Sequence, residues 1–132
     1  MTANLAEQAA STWPNAVREE FEAKQFNGYV GTRLLSETDR VRVWEIRLAP
    51  GERIGFHRHV LDYFWTAVTP GRARSFRRDG SVVEATYAAG DTRHLSYGRG
   101  EYDIHDLANI GDTDLCFTTV EFLVSANRPL EL

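Results

Sequence analysis

Apolar and polar positions alternate with one period in the first 26 residues and with another in the rest of the chain. "ANLAEQAAS" and "NAVREEFEAKQF" are rich in Ala, Glu and Gln, and Val17 and Phe21 stand at i and i+4, the spacing of a narrow apolar stripe on a helix. Trp13-Pro14 separates the two runs, and Pro14 suits a first helical position. From Asn27-Gly28 onward the period falls to two. "YVGTRLL" and "VRVWEIRL", joined by the polar "SETDR", read as a hairpin, with Arg42, Trp44, Ile46 and Leu48 on one face of the second strand. "DYFWTAV" closes at Pro70-Gly71, and "RARSFRR" and "SVVEATY" flank Asp79-Gly80, a strong two-residue hairpin signal. "TRHLSY", "YDIHDLA" and "LCFTTVEFL" come next. About eight short strands, with turns roughly every 8–12 residues, predict an all-β sandwich or barrel. The expected organisation is a helical extension over 1–26 and one barrel domain over 27–132.

Composition narrows the function classes. A net charge of −4 without a basic patch argues against nucleic acid as partner. The dense arginine group Arg72, Arg74, Arg77 and Arg78 flanks a hairpin and reads as a solvated edge. No apolar run approaches the ~18 residues of a membrane helix. Cys116 is the single cysteine, so no intrachain disulfide forms; it is expected as a buried, inert thiol. With no basic and apolar leader in "MTANLAEQAASTW", a cytoplasmic location is expected.

The chemistry gathers in "GERIGFHRHVLDYF". On an extended strand His57 and His59 project to one face, their Cα atoms about 7 Å apart, and two imidazoles so placed can converge on one ion. A third histidine, His105, stands in "HDLAN". Gly51, His57, His59 and Gly71, and then Gly90, His105 and Asn109, resemble the two motifs of the cupin superfamily over about residues 40 to 123. The resemblance implies a jelly-roll-like double-stranded β-helix barrel. It also implies a divalent transition metal (Fe, Zn, Ni or Mn) held by His57, His59 and His105 with a carboxylate. The stretch from "RVRVWEIRL" through the His-x-His pair to Asp62-Tyr63 looks most like the small single-domain cupins assigned to bacterial β-alanine degradation.

The sequence departs from the motifs at two places. The acid's slot falls on Tyr63 or Phe64, with Phe64 favoured by the register that also places Gly71, and Asp62 lies close by. Phe64 is therefore expected on the inner wall, filling the space of a Glu. In the second motif His105 comes late, so that Glu101 takes the ligand slot if no insertion is allowed. Three imidazoles without an acid still make a workable site with open positions. Some cupin thiol and diketone dioxygenases use such a three-His iron site. The function expected is an oxygenase-type enzyme on a small polar metabolite; the alternative is a non-catalytic binding or regulatory module.

Acid–base candidates beside the ion are Tyr63, Glu101 and His94, with Tyr102 also in reach. The plain readings are core aromatics for the tyrosines and a structural role for His94. Glu121 reads as a solvated strand residue. Trp13, Val17, Phe21 and Phe26 are more apolar surface than an extension should leave in water, so a homodimer joined through strands and extension is expected.

Overall fold

The structure, a computed structural model, describes residues 12–132, so the run "ANLAEQAAS" lies outside the described residues. Pro14 is the N-cap of helix α1 (Asn15–Ala23), one position earlier than expected. The Val17 and Phe21 stripe meets an apolar patch on the chain's own barrel. Trp13, Phe56 and Ile104 are buried there, with Val17, Phe21, Phe76 and Tyr102 packed around them. The Trp13 ring stacks on Phe56 at 5.8 Å, and Phe21 meets Phe56 edge-on at 5.3 Å. The apolar groups expected at a dimer interface are thus covered within one chain; Phe26 alone of the four stays 70% exposed.

The strands are β1 (Arg33–Glu37), β2 (Val41–Leu48), β3 (Arg53–His59), β4 (Tyr63–Ala67), β5 (Gly71–Phe76), β6 (Val82–Tyr87), β7 (Thr92–Leu95), β8 (Asp103–Asn109) and β9 (Leu115–Phe122). They form two antiparallel sheets in the orders β1-β2-β9-β4-β7 and β3-β8-β5-β6. The expected hairpins are β1–β2, which carries a register shift between Leu34 and Ser36, and β5–β6 around Asp79-Gly80. The motif glycines Gly51 and Gly90 close turns at φ of 84° and 92°, a region that costs any residue with a Cβ. Asn109, the last residue of the second motif, ties the barrel's loops together. Its Nδ2 donates to the Leu48 and Thr113 carbonyls, and its Oδ1 accepts from the Gly111 N–H.

Register decides what the barrel encloses, because cross-strand partners share a face. Ile46, Phe117 and Ala67 form one inward row across β2, β9 and β4; Trp44, Thr119, Trp65 and Arg93 form the next; Arg42, Glu121, Tyr63 and Leu95 form a third. Ile46, Leu48, Ala67, Ala73, Leu115 and Phe117 make the apolar end of the interior.

The helix is fastened by charge as well as by packing. Arg53 donates to both oxygens of Glu20 at 2.8 and 2.7 Å, and through Nε to Asp106 at 2.6 Å. Asp106, fully buried, also accepts the Phe76 N–H. The hydrogen bonds that Arg53 donates to Glu20 hold the Glu20 carboxyl below the usual range despite partial burial.

Candidate metal centre

His57 lies directly across from His105 in the β3–β8 ladder, and His59 across from Asp103. The ladder register skips Gly55 and Phe56. The Phe56 N–H donates to Glu20 instead, and the Gly55 carbonyl accepts the His57 Nδ1–H at 2.8 Å. That bond fixes the tautomer and leaves His57 Nε2 with its lone pair. His105 is oriented the same way. The Ser75 hydroxyl donates to the Asp106 carbonyl, so at 3.4 Å its oxygen is the acceptor for His105 Nδ1–H. His105 Nε2 then faces His59 Nε2 at 3.0 Å.

One ring nitrogen from each histidine lies within 4.8 Å of the others. His59 cannot satisfy both its nitrogens among these groups. With the proton on Nδ1, two lone pairs face each other; with it on Nε2, the buried Nδ1, which has no hydrogen-bond partner, is left bare. A cation between the rings removes the conflict. Two nitrogens about 2.1 Å from one ion, at a right angle, stand about 3.0 Å apart, which matches the His59–His105 separation. Burial lowers the imidazole of His57 to about 4, with the Gly55 bond opposing and Arg53 adding to the shift. It lowers His59 and His105 well below the ordinary value, helped by the neighbouring histidines and, at His105, by Arg77. All three are neutral near pH 7, the form that ligates a metal.

The other expected residues separate. Tyr63, not Phe64, takes the acid's slot: Tyr63, Trp65 and Ala67 point inward, and Phe64 points outward against His94 and Phe122. Phe64 is apolar there because the outer sheet face offers it those rings. Tyr63 lies flat on the His59 ring at 4.1 Å. Burial pushes its phenol above the ordinary value, so it stands as an O–H group, hydrogen-bonded with Tyr97, whose hydroxyl donates to Asp103. Two further expectations are corrected. His94 shares the outward parity of Phe64 and is exposed, away from the triad. Glu101 precedes β8, exposed, and its carboxylate caps the Gly98 N–H. Asp62 accepts the Tyr97 N–H, and Tyr102 lies under Arg58 and Arg78 on the outer side.

The triad opens into a cavity holding about 110 Å³ that water can occupy, lined also by Tyr63, Trp65, Tyr87, Arg77, Arg93 and Asp103. Arg77 is therefore no mere edge residue. Glu121 is corrected as well: it is 3% exposed and accepts the Trp44 indole N–H at 2.7 Å. Its parity with Leu115 and Phe117 in the sequence was the signal for an inward position. Burial raises its carboxyl to about 7; the Trp44 bond and Arg42 oppose this and Glu37 adds to it. The folded state then holds a proton that the unfolded chain releases near 4.5, so stability falls as pH rises from there through about 7. Glu121→Gln keeps the acceptor for Trp44 and removes that loss. Between pH 5 and pH 8 the wild type loses on the order of 2–3 kcal/mol relative to the variant, read from urea melts at both pH values.

No family profile matches the sequence, and no curated protein does. Solved structures do. A cupin domain from Bordetella pertussis Tohama I is 28% identical with a TM-score of 0.60, over 68% of this chain and 88% of that one. A Klebsiella pneumoniae protein with a double-stranded β-helix domain is 25% identical with a TM-score of 0.55, over 75% and 82%. An RmlC-like cupin family protein from Methanocaldococcus jannaschii, at 19% identity and a TM-score of 0.55 over 68% and 76%, shares the fold.

Proposed function

Because this chain belongs to the cupin superfamily, we propose that it binds one divalent transition ion (Fe, Zn, Ni or Mn) through His57, His59 and His105. The ion's other positions then stay open to a small polar metabolite. The observation that supports this is the pair of tied Nδ1 atoms, at His57 and His105, that aims both Nε2 lone pairs at the space His59 also faces. When bound, such an ion supplies Lewis-acid polarisation of a ligand oxygen, and iron adds the electron transfer an oxygenase needs. The chain's residues do the rest. Neutral imidazoles hold their lone pairs inward, Tyr63 stacks its ring on His59 and keeps its phenol proton, and Trp65 and Tyr87 line the cavity with aromatic surface.

The second reading is a non-catalytic module that only binds its ligand. It is favoured by the outward placement of Glu101 and His94, which leaves Tyr63 alone of the expected acid–base groups at the cavity. Elemental analysis of the purified protein tests the shared part. One equivalent of Fe, Zn, Ni or Mn, removable by chelator and restored by titration, supports it; no stoichiometric uptake of any of them sinks it.

A cytoplasmic setting fits the lone buried Cys116, and no described helix is long and apolar enough to cross a membrane. We keep the homodimer with its interface moved to the strands. Leu35, Phe122 and Val124 are 44%, 38% and 85% exposed, and Phe64 adjoins Phe122. Sedimentation at micromolar concentration is expected to give twice the chain mass for the wild type and the single-chain mass for Phe122→Asp. A wild type at the single-chain mass ends the claim.

A further inference from the structure

Two arginines reach the cavity from opposite sheets. Arg77 forms an antiparallel bridge with His105, so its side chain shares the histidine's inward face. Arg93 stands across from Trp65 in the β4–β7 ladder and shares that inward face. Both line the same cavity as Tyr63 and Tyr87, so the two side chains border one space.

Several of the chain's other arginines are engaged elsewhere. Arg53 is tied to Glu20 and Asp106, Arg42 to Glu37, and Arg58 and Arg78 lie over Tyr102. Neither Arg77 nor Arg93 makes an ion pair with a described residue. Asp103, the one carboxylate among the described residues that line the cavity, already accepts the Tyr97 hydroxyl. The mouth is left with a surplus of guanidinium N–H donors, whose fork matches a carboxylate. Beneath them the wall is Trp65, Tyr87, Phe117 and Leu107, and the space is small.

We propose that the cavity's ligand is a small carboxylic acid with an apolar or aromatic body, its carboxylate held by Arg77 and Arg93 and its body against Trp65, Tyr87 and Phe117. The proposal rests on the metal-binding reading only in placing the ligand's far end beside the triad. A phosphate ester suits the site less: its second charge meets Asp103, and its polar body would strip water from an aromatic wall.

The test uses calorimetry at pH 7 with benzoate, benzamide and inorganic phosphate, on protein stripped by chelator and then loaded with Zn(II). Stripped wild type is expected to bind benzoate about tenfold more tightly than benzamide or phosphate, a margin one charge-assisted hydrogen bond supplies. Arg77→Gln and Arg93→Gln each lose about tenfold for benzoate and nothing for benzamide. Both positions are exposed, so the variants fold; Arg93→Glu, which reverses the charge, rejects benzoate while its zinc uptake stays intact. Benzamide or phosphate binding as well as benzoate overturns the proposal, as does benzoate affinity unchanged in both glutamine variants. If zinc fails to bind but the stripped protein still selects benzoate through the arginines, the metal reading falls and this one stands. If benzoate follows zinc alone and ignores both arginines, the metal reading stands and this one falls.

Discussion

Alanine in place of His57 or His105 is expected to leave the purified protein without stoichiometric metal, its affinity lower on the order of a thousandfold. Removing an outer hydrogen bond to a ligating histidine already costs roughly 10–100-fold, and each of these substitutions deletes a ligand outright. No described carboxylate stands in reserve, since the group within ligating distance is the three histidines alone. Competition against a chelating dye reads the loss, and a thermal melt shows that the variant has folded. Ser75→Ala, which frees His105 Nδ1 without touching a ligand, should give the smaller loss, about 10–100-fold. Phe64→Glu should change nothing, because Phe64 faces His94 and Phe122; Tyr63→Glu places a carboxylate against His59 and should tighten binding. Retention of one equivalent of metal by both histidine variants would show that the ion is held elsewhere.

The second large effect is structural. Arg53→Ala is expected to cost about 3–5 kcal/mol, because it strands Asp106, fully buried, without its cationic partner. For a domain whose whole stability is about 5–15 kcal/mol, that brings the melting temperature down by roughly 10–20 °C. Glu20→Ala removes only the half-exposed arm of the same network and should cost about 1–2 kcal/mol, counting the Phe56 N–H it leaves without an acceptor. A loss below about 1 kcal/mol in Arg53→Ala would mean that water replaces the guanidinium at Asp106.

Much of this site could be read from residue order. His57 and His59 share a face by strand parity, and His105 takes the second motif's histidine slot once an insertion is allowed, so the triad needed that choice of register over Glu101 and no knowledge of the fold beyond extended chain. The acid's slot could not be read in the same way. It depends on which residue starts β4 after the turn that Asp62 closes, and a shift of one residue exchanges Tyr63 for Phe64. Both are aromatic, so hydrophobicity could not arbitrate. The helix posed a different problem. Its stripe was visible, but its partner was split between strands: Phe56 and Ile104 face outward because their neighbours His57 and His105 face inward. Only pairing β3 with β8 joins those two into one patch large enough to receive Trp13 and Phe21. Glu121 was misplaced because its charge outweighed its parity with Leu115 and Phe117.

The place of β9 in the five-stranded sheet bears on how the chain is made. β9 lies between β2 and β4, yet it emerges from the ribosome after the other eight described strands. Until residues 115–122 emerge, β2 and β4 each lack the hydrogen-bonded neighbour that joins their inward rows. β3 waits likewise for β8. A nascent chain truncated before Leu115 therefore exposes unpaired strand edges bearing Trp44, Ile46 and Trp65. Such edges invite pairing with other chains, and non-local closure of this kind is slow. This barrel can close only after residues 115–122 have emerged, and the interval before then is when it is most exposed to aggregation and to holding by chaperones.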